Sequence, residues 1–255
     1  MITVYGHTGV VGGALYRWLK EHAVAVAGVS LDRTDACPER SEGAEPGGEW
    51  AFLCLPTLNT EDGHQDRGAI MSVCNGTGAR FVVVRSTVLP GTCRTLQRAF
   101  PCKTIYHWPE FLSERTAYAD FCGPKARIVG GPREPWQHDI EPLLPRAPSY
   151  FVELETAEAL KYAHNVAGAM QIVYANMLYD VCAKSGASWE SVRAILPSLG
   201  YISPETARAY WNVWQDNKRG YAGHCFPKDV DALRGYLDND LLEGIAGANA
   251  KLRGT

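Results

Sequence analysis

The sequence predicts an α/β protein: a doubly wound parallel sheet over residues 1–152, then an all-α region over 153–255 built around one long helix. Three observations carry this. Short apolar runs rich in Val, Ile and Phe alternate with longer helical or irregular stretches through the first half, as in βαβ units whose strands are buried on both faces. A glycine-rich turn joins the first of these runs directly to an amphipathic segment. From about Glu155 the pattern changes to long helical periodicity, with small and apolar residues lining much of the surface.

In chain order, strands are expected at 2–5, 24–29, 50–55, 81–84, 104–106 and 126–129. Residues 35–48 are polar and rich in Pro, Gly and Glu, which reads as a surface loop, and 60–68 is similar. Helices are then expected at 156–185, 189–196, 204–214 and 229–237. The first is so long and so apolar that it should lie in the middle of a domain or between subunits.

The 255 residues suffice for one large domain or two ordinary ones. With 46% hydrophobic residues, 21% charged and a net charge of -3, neither a nucleic-acid surface nor an acidic tail is indicated. The 8 cysteines are scattered, and no two form a Cys-x-x-Cys pair, so neither a disulfide framework nor a metal site is expected. Several lie in apolar runs such as Phe52-Leu53-Cys54-Leu55, where a thiol behaves as a small hydrophobe. The chain opens directly on a strand pattern, without a charged leader or an apolar run long enough to span a bilayer, so a reducing, cytoplasmic compartment and no membrane partner are expected.

The segment Ile2-Thr3-Val4-Tyr5-Gly6-His7-Thr8-Gly9-Val10-Val11-Gly12 runs from a strand into a helix. A dinucleotide pyrophosphate needs a turn without side chains, so that backbone N–H groups and the positive end of the following helix can approach it. Gly6, Gly9 and Gly12, with the Val10 and Val11 backbone between them, supply such a turn, which marks a Rossmann-like domain. The spacing is G-x-x-G-x-x-G, one residue longer than the usual G-x-G-x-x-G. Asp32, near the end of the second strand, is placed to accept hydrogen bonds from the adenosine ribose, which favours NAD. Ser30 and Arg33 flank it, and a hydroxyl with a guanidinium suits the extra phosphate of NADP, the alternative cofactor. A plain strand-to-helix connection is the bland reading of the same glycines.

Near the C-terminus, Gly220-Tyr221-Ala222-Gly223-His224-Cys225-Phe226-Pro227-Lys228-Asp229 sets a thiol after a glycine loop and before a cation and a carboxylate. Lys228 would favour the nucleophilic thiolate, while a buried structural cysteine is the alternative. Lys161 and Asn165, four residues apart on the long helix, share one face, so an ammonium and an amide can converge on one substrate oxygen. In Trp108-Pro109-Glu110-Phe111-Leu112-Ser113-Glu114-Arg115, two carboxylates lie four apart next to aromatics; acid–base work and a surface Glu114–Arg115 ion pair remain open.

Together and in this order, these segments resemble the UDP-glucose/GDP-mannose dehydrogenase family. The resemblance rests on the glycine turn, Leu55-Pro56-Thr57, Arg85-Ser86-Thr87-Val88-Leu89-Pro90-Gly91-Thr92, the Pro-Glu-Phe-Leu stretch, the Lys-x-x-x-Asn helix and the Cys-Phe-Pro-Lys-Asp segment. It implies that a nucleotide-sugar primary alcohol is oxidised twice to the uronic acid, with NAD as acceptor, through a thiohemiacetal and then a thioester on Cys225. Lys161 and Asn165 would stabilise the oxyanion, Asp229 would assist proton removal through water, and Glu110 would promote thioester hydrolysis. Leu55, Pro56, Thr57, Ser86, Thr87 and Glu114 would line the cofactor, the last two acidic and hydroxyl groups, Glu114 and Thr87, by the nicotinamide. Phe111, Leu112, Lys228 and the loop of Gly220, Tyr221 and Gly223 would hold the sugar, and two copies would pair through the central helix.

The departures carry expectations of their own. Trp108 replaces a small polar residue and Ala222 a loop glycine, and both are expected to reshape the sugar pocket; His224 either tunes the thiolate or is a tolerated loop residue. Family members continue into a third domain where this sequence stops at Thr255, so it reads as a short form, its substrate covered by a second subunit or smaller than a nucleotide sugar. A single-step hydroxyacid-type dehydrogenase and a non-catalytic NAD-binding protein are the alternatives.

Overall fold

The computed structural model describes residues 1–30, 39–40, 48–60, 65–214 and 217–254. They form two compact units, one of residues Met1–Leu58 and Gln65–Lys161, the other of Asn59–His64 and Tyr162–Thr255. No described helix is long and apolar enough to cross a membrane.

The first unit is a sheet flanked by helices. In chain order it contains β1 (Ile2–Tyr5), α1 (Val10–Glu21), β2 (Val26–Ser30), β3 (Glu39–Arg40), β4 (Trp50–Leu53), α2 (Gly68–Gly76), β5 (Phe81–Val84), α3 (Thr92–Ala99), β6 (Thr104–His107), α4 (Ala117–Cys122), β7 (Arg127–Gly130), α5 (Trp136–Asp139) and β8 (Ser149–Val152). The strand order is β3-β2-β1-β4-β5-β6-β7-β8. Strands β2, β1, β4, β5 and β6 are mutually parallel, while β3 and β7 run antiparallel to β2 and β6. This is the Rossmann-like sheet the apolar runs predict. β1, β4 and β5 are buried along their whole length, which is why they read as unbroken apolar runs. Alternate side chains feed two cores: Val4, Phe52 and Val83 pack with Leu15, Leu19 and Trp136 on one face, and Tyr5, Leu53, Val82 and Val84 with Ile70, Val73 and Leu96 on the other.

Two strands depart from expectation. β3 lies inside the stretch 35–48 read as a loop; two residues of edge pairing leave no periodicity to detect. β8 is a half-exposed strand pairing with β7, so it lacks the apolar run that marks the central strands.

The long helix α6 (Leu154–Ser185) passes from the first unit into the second. Its first turns are anchored by Glu158, which is fully buried and accepts hydrogen bonds from the backbone N–H groups of Gly91, 2.6 Å, and Cys93, 2.7 Å, at the start of α3. A side-chain carboxylate thus satisfies two helix donors that have no intrahelical partner. Glu158→Ala leaves both donors buried and unmatched, and is expected to cost about 2–4 kcal/mol in urea unfolding; a loss below about 0.5 kcal/mol would count against the clamp.

The second unit adds α7 (Trp189–Ile195), α8 (Pro204–Tyr210), α9 (Phe226–Tyr236) and α10 (Asp240–Arg253). Ala169 and Ile172 of α6 pack with Tyr221, Val230 and Ile245, and Ala175 packs with Ala207 and Trp211. The helix expected over 204–214 stops at Tyr210, because the next residue, Trp211, turns into the core and donates its indole N–H to Gln171, 3.0 Å. Helix α10 was not among the expected elements. α6 is not buried all round: Met170, Tyr174, Met177 and Val181 are exposed at 37%, 37%, 50% and 56%, an apolar stripe recurring every three or four residues.

Candidate functional site

The glycine turn follows β1. Gly6 has φ +78°, and a Cβ on it would fall 2.2 Å from the Cys54 carbonyl oxygen. A Cβ on Gly12 would fall 2.2 Å from the Gly6 carbonyl oxygen, so the turn closes on itself only without side chains. Gly9 is the N-cap of α1 and offers no side-chain cap, which leaves the first-turn N–H groups, Val10 and Val11 among them, to an external acceptor. The extra residue of the turn has a definite place: the His7 ring packs against Tyr16, centroids 4.9 Å apart, and lies over Gly28 of β2, where any Cβ would come within 2.6 Å of the ring. Strand order reverses between β1 and β4, and the crevice at such a switch point is where an open α/β sheet binds its ligand. The residues therefore fit a dinucleotide pyrophosphate. Thr8 and Ser30 bring their hydroxyls to 3.4 Å at the end of β2; Asp32 and Arg33 lie outside the described residues.

Beyond β4 and β5, two loops are tied together. The Ser86 hydroxyl accepts from the Leu55 N–H, 2.9 Å, and the Thr57 hydroxyl donates to the Thr87 carbonyl, 2.7 Å. Gln65 adds two more bonds, donating to the Thr87 carbonyl and accepting from the Leu89 N–H. Pro56 and Glu114 are exposed.

At the end of β6, Glu110 accepts from the Lys161 ammonium at 3.0 Å and from the Leu112 N–H at 2.7 Å, and the Phe111 ring lies 5.4 Å from the ammonium. Lys161 is buried and Glu110 nearly so, a setting where an ion pair is held rather than solvated. Trp108 departs from the expectation that it reshapes the sugar pocket: it is a core residue, in edge contact with Phe52 and Trp136, and the Arg85 guanidinium stacks on its ring at 3.7 Å. An indole this large is stabilised by packing into that aromatic cluster.

In the second unit, Asn165 on α6 donates to Asp229 on α9 at 2.6 Å, and Lys228 pairs with the other oxygen of Asp229. Asp229 is 1% exposed. Helix α9 starts three residues before its expected start, with Pro227 in its first turn, which makes the exposed Cys225 its N-cap. The loop before it turns through Gly220 and Gly223, with φ +78° and +83°. Tyr221 is a core residue whose backbone N–H and carbonyl are both held by the Asn249 side chain, at 2.7 and 3.1 Å. Ala222 is half-buried and His224 exposed.

Residues 155–246 match the UDP-glucose/GDP-mannose dehydrogenase family, central domain. The chain is 33% identical to the UDP-glucose 6-dehydrogenase of Rhizobium meliloti over 71% of its own length and 44% of that protein's. Against the UDP-glucose 6-dehydrogenase of Haloferax volcanii the figures are 31%, 71% and 46%. Residues 155–246 thus carry the central domain of the UDP-glucose/GDP-mannose dehydrogenase family. The chain spans a little under half the length of these curated relatives. The UDP-glucose dehydrogenase structure from Pyrobaculum islandicum shares the fold, with a TM-score of 0.79 at 23% identity, covering 99% of this chain and 67% of that one.

Four residues of this UDP-glucose/GDP-mannose dehydrogenase relative escape a reading by motif. Asn249 and Gln65 act through contacts distant in sequence, and Asn59 donates to the Lys228 carbonyl, 2.9 Å, in the first turn of α9. The fourth, His107, is fully buried at the end of β6, its Nε2 3.4 Å from the Ser86 carbonyl. Burial, then the charges of Lys161 and Arg85, hold its pKa down to about 3. The folded state thus keeps His107 neutral where the unfolded chain, near 6.5, takes up a proton. Stability from this group is complete above about pH 6.5 and falls as pH drops toward 3. Between pH 7.5 and 4.5 the protein is expected to lose about 2–3 kcal/mol more than His107→Gln does; equal losses in urea titrations would contradict the assignment.

Proposed function

We propose that this chain oxidises the primary alcohol of a nucleotide sugar to the uronic acid with NAD, through covalent intermediates on Cys225. The observation that carries the reading is the cluster of Asn165 on α6 with Lys228 and Asp229 in the first turn of α9, the helix whose N-cap is Cys225. A buried carboxylate held by an amide and an ammonium is costly to maintain for stability alone, and a helix N-terminus favours the anionic, nucleophilic form of a thiol. The family match supports the same assignment.

In this mechanism a bound nicotinamide supplies the hydride acceptor, one equivalent for each oxidation. Asp229 receives the alcohol proton through water as hydride leaves the carbinol carbon. The Cys225 thiolate then adds to the aldehyde carbon, and its oxyanion is met by the Lys161 ammonium and the Asn165 amide, which lie one turn apart on α6. Loss of the second hydride leaves a thioester. Glu110 takes a proton from water as that water adds to the thioester carbonyl, and the thiolate departs as the uronate is released. The glycine turn, with Leu55, Thr57, Ser86 and Thr87 behind it, holds the cofactor, and the Gly220–Gly223 loop with Phe111, Leu112 and Lys228 holds the sugar. The test is stoichiometry: two NADH per UDP-glucose or GDP-mannose consumed. One NADH with release of an aldehyde would overturn the two-step scheme in favour of a single oxidation, and no turnover of any nucleotide sugar would favour a binding protein.

We also infer that two copies pair through α6. The stripe of Met170, Tyr174, Met177 and Val181 supports this, since a continuous exposed apolar face on a long helix suits a self-complementary contact. Met177→Glu is expected to convert a dimer to a monomer in analytical ultracentrifugation at micromolar concentration; an unchanged mass would remove α6 as the interface. The buried reduced thiols of Cys74, Cys93 and Cys182 fit a reducing, cytoplasmic setting.

A further inference from the structure

Arg85 follows β5 directly, is 2% exposed, and lies against two rings, with its guanidinium carbon 3.7 Å from the Trp108 centroid and 5.8 Å from that of Phe121. Among the described residues, its Nε and Nη1 have no hydrogen-bond partner. The charged groups around it are committed elsewhere: Glu110 to Lys161 and the Leu112 N–H, and Arg127 to Glu141 and the Pro145 carbonyl. The remaining titratable neighbours carry no compensating charge near neutral pH, since burial pushes the Cys54 thiol up to about 11 and the His107 imidazole down to about 3. The fold therefore retains a desolvated cation without a carboxylate of its own, an arrangement that is expensive unless the charge is used.

Its position suggests the use. The adenosine ribose of a dinucleotide belongs at the end of β2 and the pyrophosphate at the N-terminus of α1, so the nicotinamide half extends the other way, across the ends of β4, β5 and β6. Strands are about 4.8 Å apart, which puts the end of β5 on the order of 10 Å from the turn. Cys54, at the end of β4, packs beneath Gly6 and Gly12 on one side and is felt by the Arg85 charge on the other.

We propose that Arg85 sets the preference of this site between the two oxidation states of the nicotinamide, an inference that rests on the cofactor reading above. The oxidised ring carries a positive charge that it loses on accepting hydride. A fixed cation in a low-dielectric surround raises the energy of the charged ring and leaves the neutral one unaffected, and so favours hydride transfer away from the substrate. Arg85 touches neither ring nor sugar; it acts through its field, with the Trp108 face holding the guanidinium in place.

Calorimetric titration of NAD+ and NADH into the wild type, Arg85→Met, Arg85→Gln and Arg85→Lys tests this without turnover. The ratio of the NAD+ to the NADH dissociation constant is expected to fall by about five- to tenfold in the Met and Gln variants, and to stay within about twofold in the Lys variant, which keeps the charge. Glu110→Gln removes a neighbouring negative charge and is expected to move the ratio the opposite way, a check that stands even if the neutral Arg85 variants fail to fold. An unchanged ratio, or equal weakening of both forms in a variant with wild-type circular dichroism, would overturn the inference. A wild type that binds neither form would instead sink the cofactor reading itself.

Discussion

Cys225→Ala is expected to abolish uronic acid formation, by at least about 10³-fold, while NAD binding survives. Only the thiol offers a nucleophile that can carry the substrate from aldehyde to acid in this mechanism, and neither Asp229 nor Glu110 replaces it. Cys225 is exposed, so the substitution should leave the melting temperature within about 2 °C of the wild type. Product analysis by mass spectrometry with NADH counting reads the outcome: an aldehyde and one NADH, or no product, against the uronate and two NADH of the wild type. Undiminished uronate from the Ala variant would remove Cys225 from the reaction.

Lys161→Met is expected to have the second largest effect, in activity and in stability together. Removing a preorganised positive charge from beside a developing oxyanion costs about 10²–10³-fold in turnover. The same change strips Glu110 of its partner at 3.0 Å in a nearly buried position, and breaking such a pair costs about 3–5 kcal/mol. The two effects separate in the double variant. Lys161→Met with Glu110→Gln should recover most of the lost stability, because no uncompensated charge remains, yet stay inactive. A double variant no more stable than the single one would show that Lys161 contributes by packing rather than by pairing, and recovered activity would exclude the oxyanion role.

The parts of the protein that were legible in the sequence are those governed by near neighbours. β1, β4 and β5 read as strands because both of their faces are buried. The glycine turn stood out because Gly12 answers a steric demand made by the Gly6 carbonyl six residues away. Lys161 and Asn165 could be placed together on one long helix because helical periodicity is a local property. By contrast, the half-exposed β8 left too weak a pattern, and α10 was not expected at all, although Asn249 on it holds the loop that leads to Cys225.

The sequence by itself determined the sheet, the long helix and the chemical types available: a thiol, an ammonium, an amide and three carboxylates in a recognisable order. Tertiary structure alone decided which of them work as partners. Asn165 meets Asp229 across 64 positions, Lys161 meets Glu110 across 51, and Glu158 caps α3 from 67 away. It also turned Trp108 from an expected pocket residue into the core platform under Arg85. The reason is physical: periodicity and turn geometry are set by local backbone sterics and by which face is apolar, whereas pairing between distant polar groups depends on how whole elements pack, and that packing is chosen by the burial of all the apolar faces together.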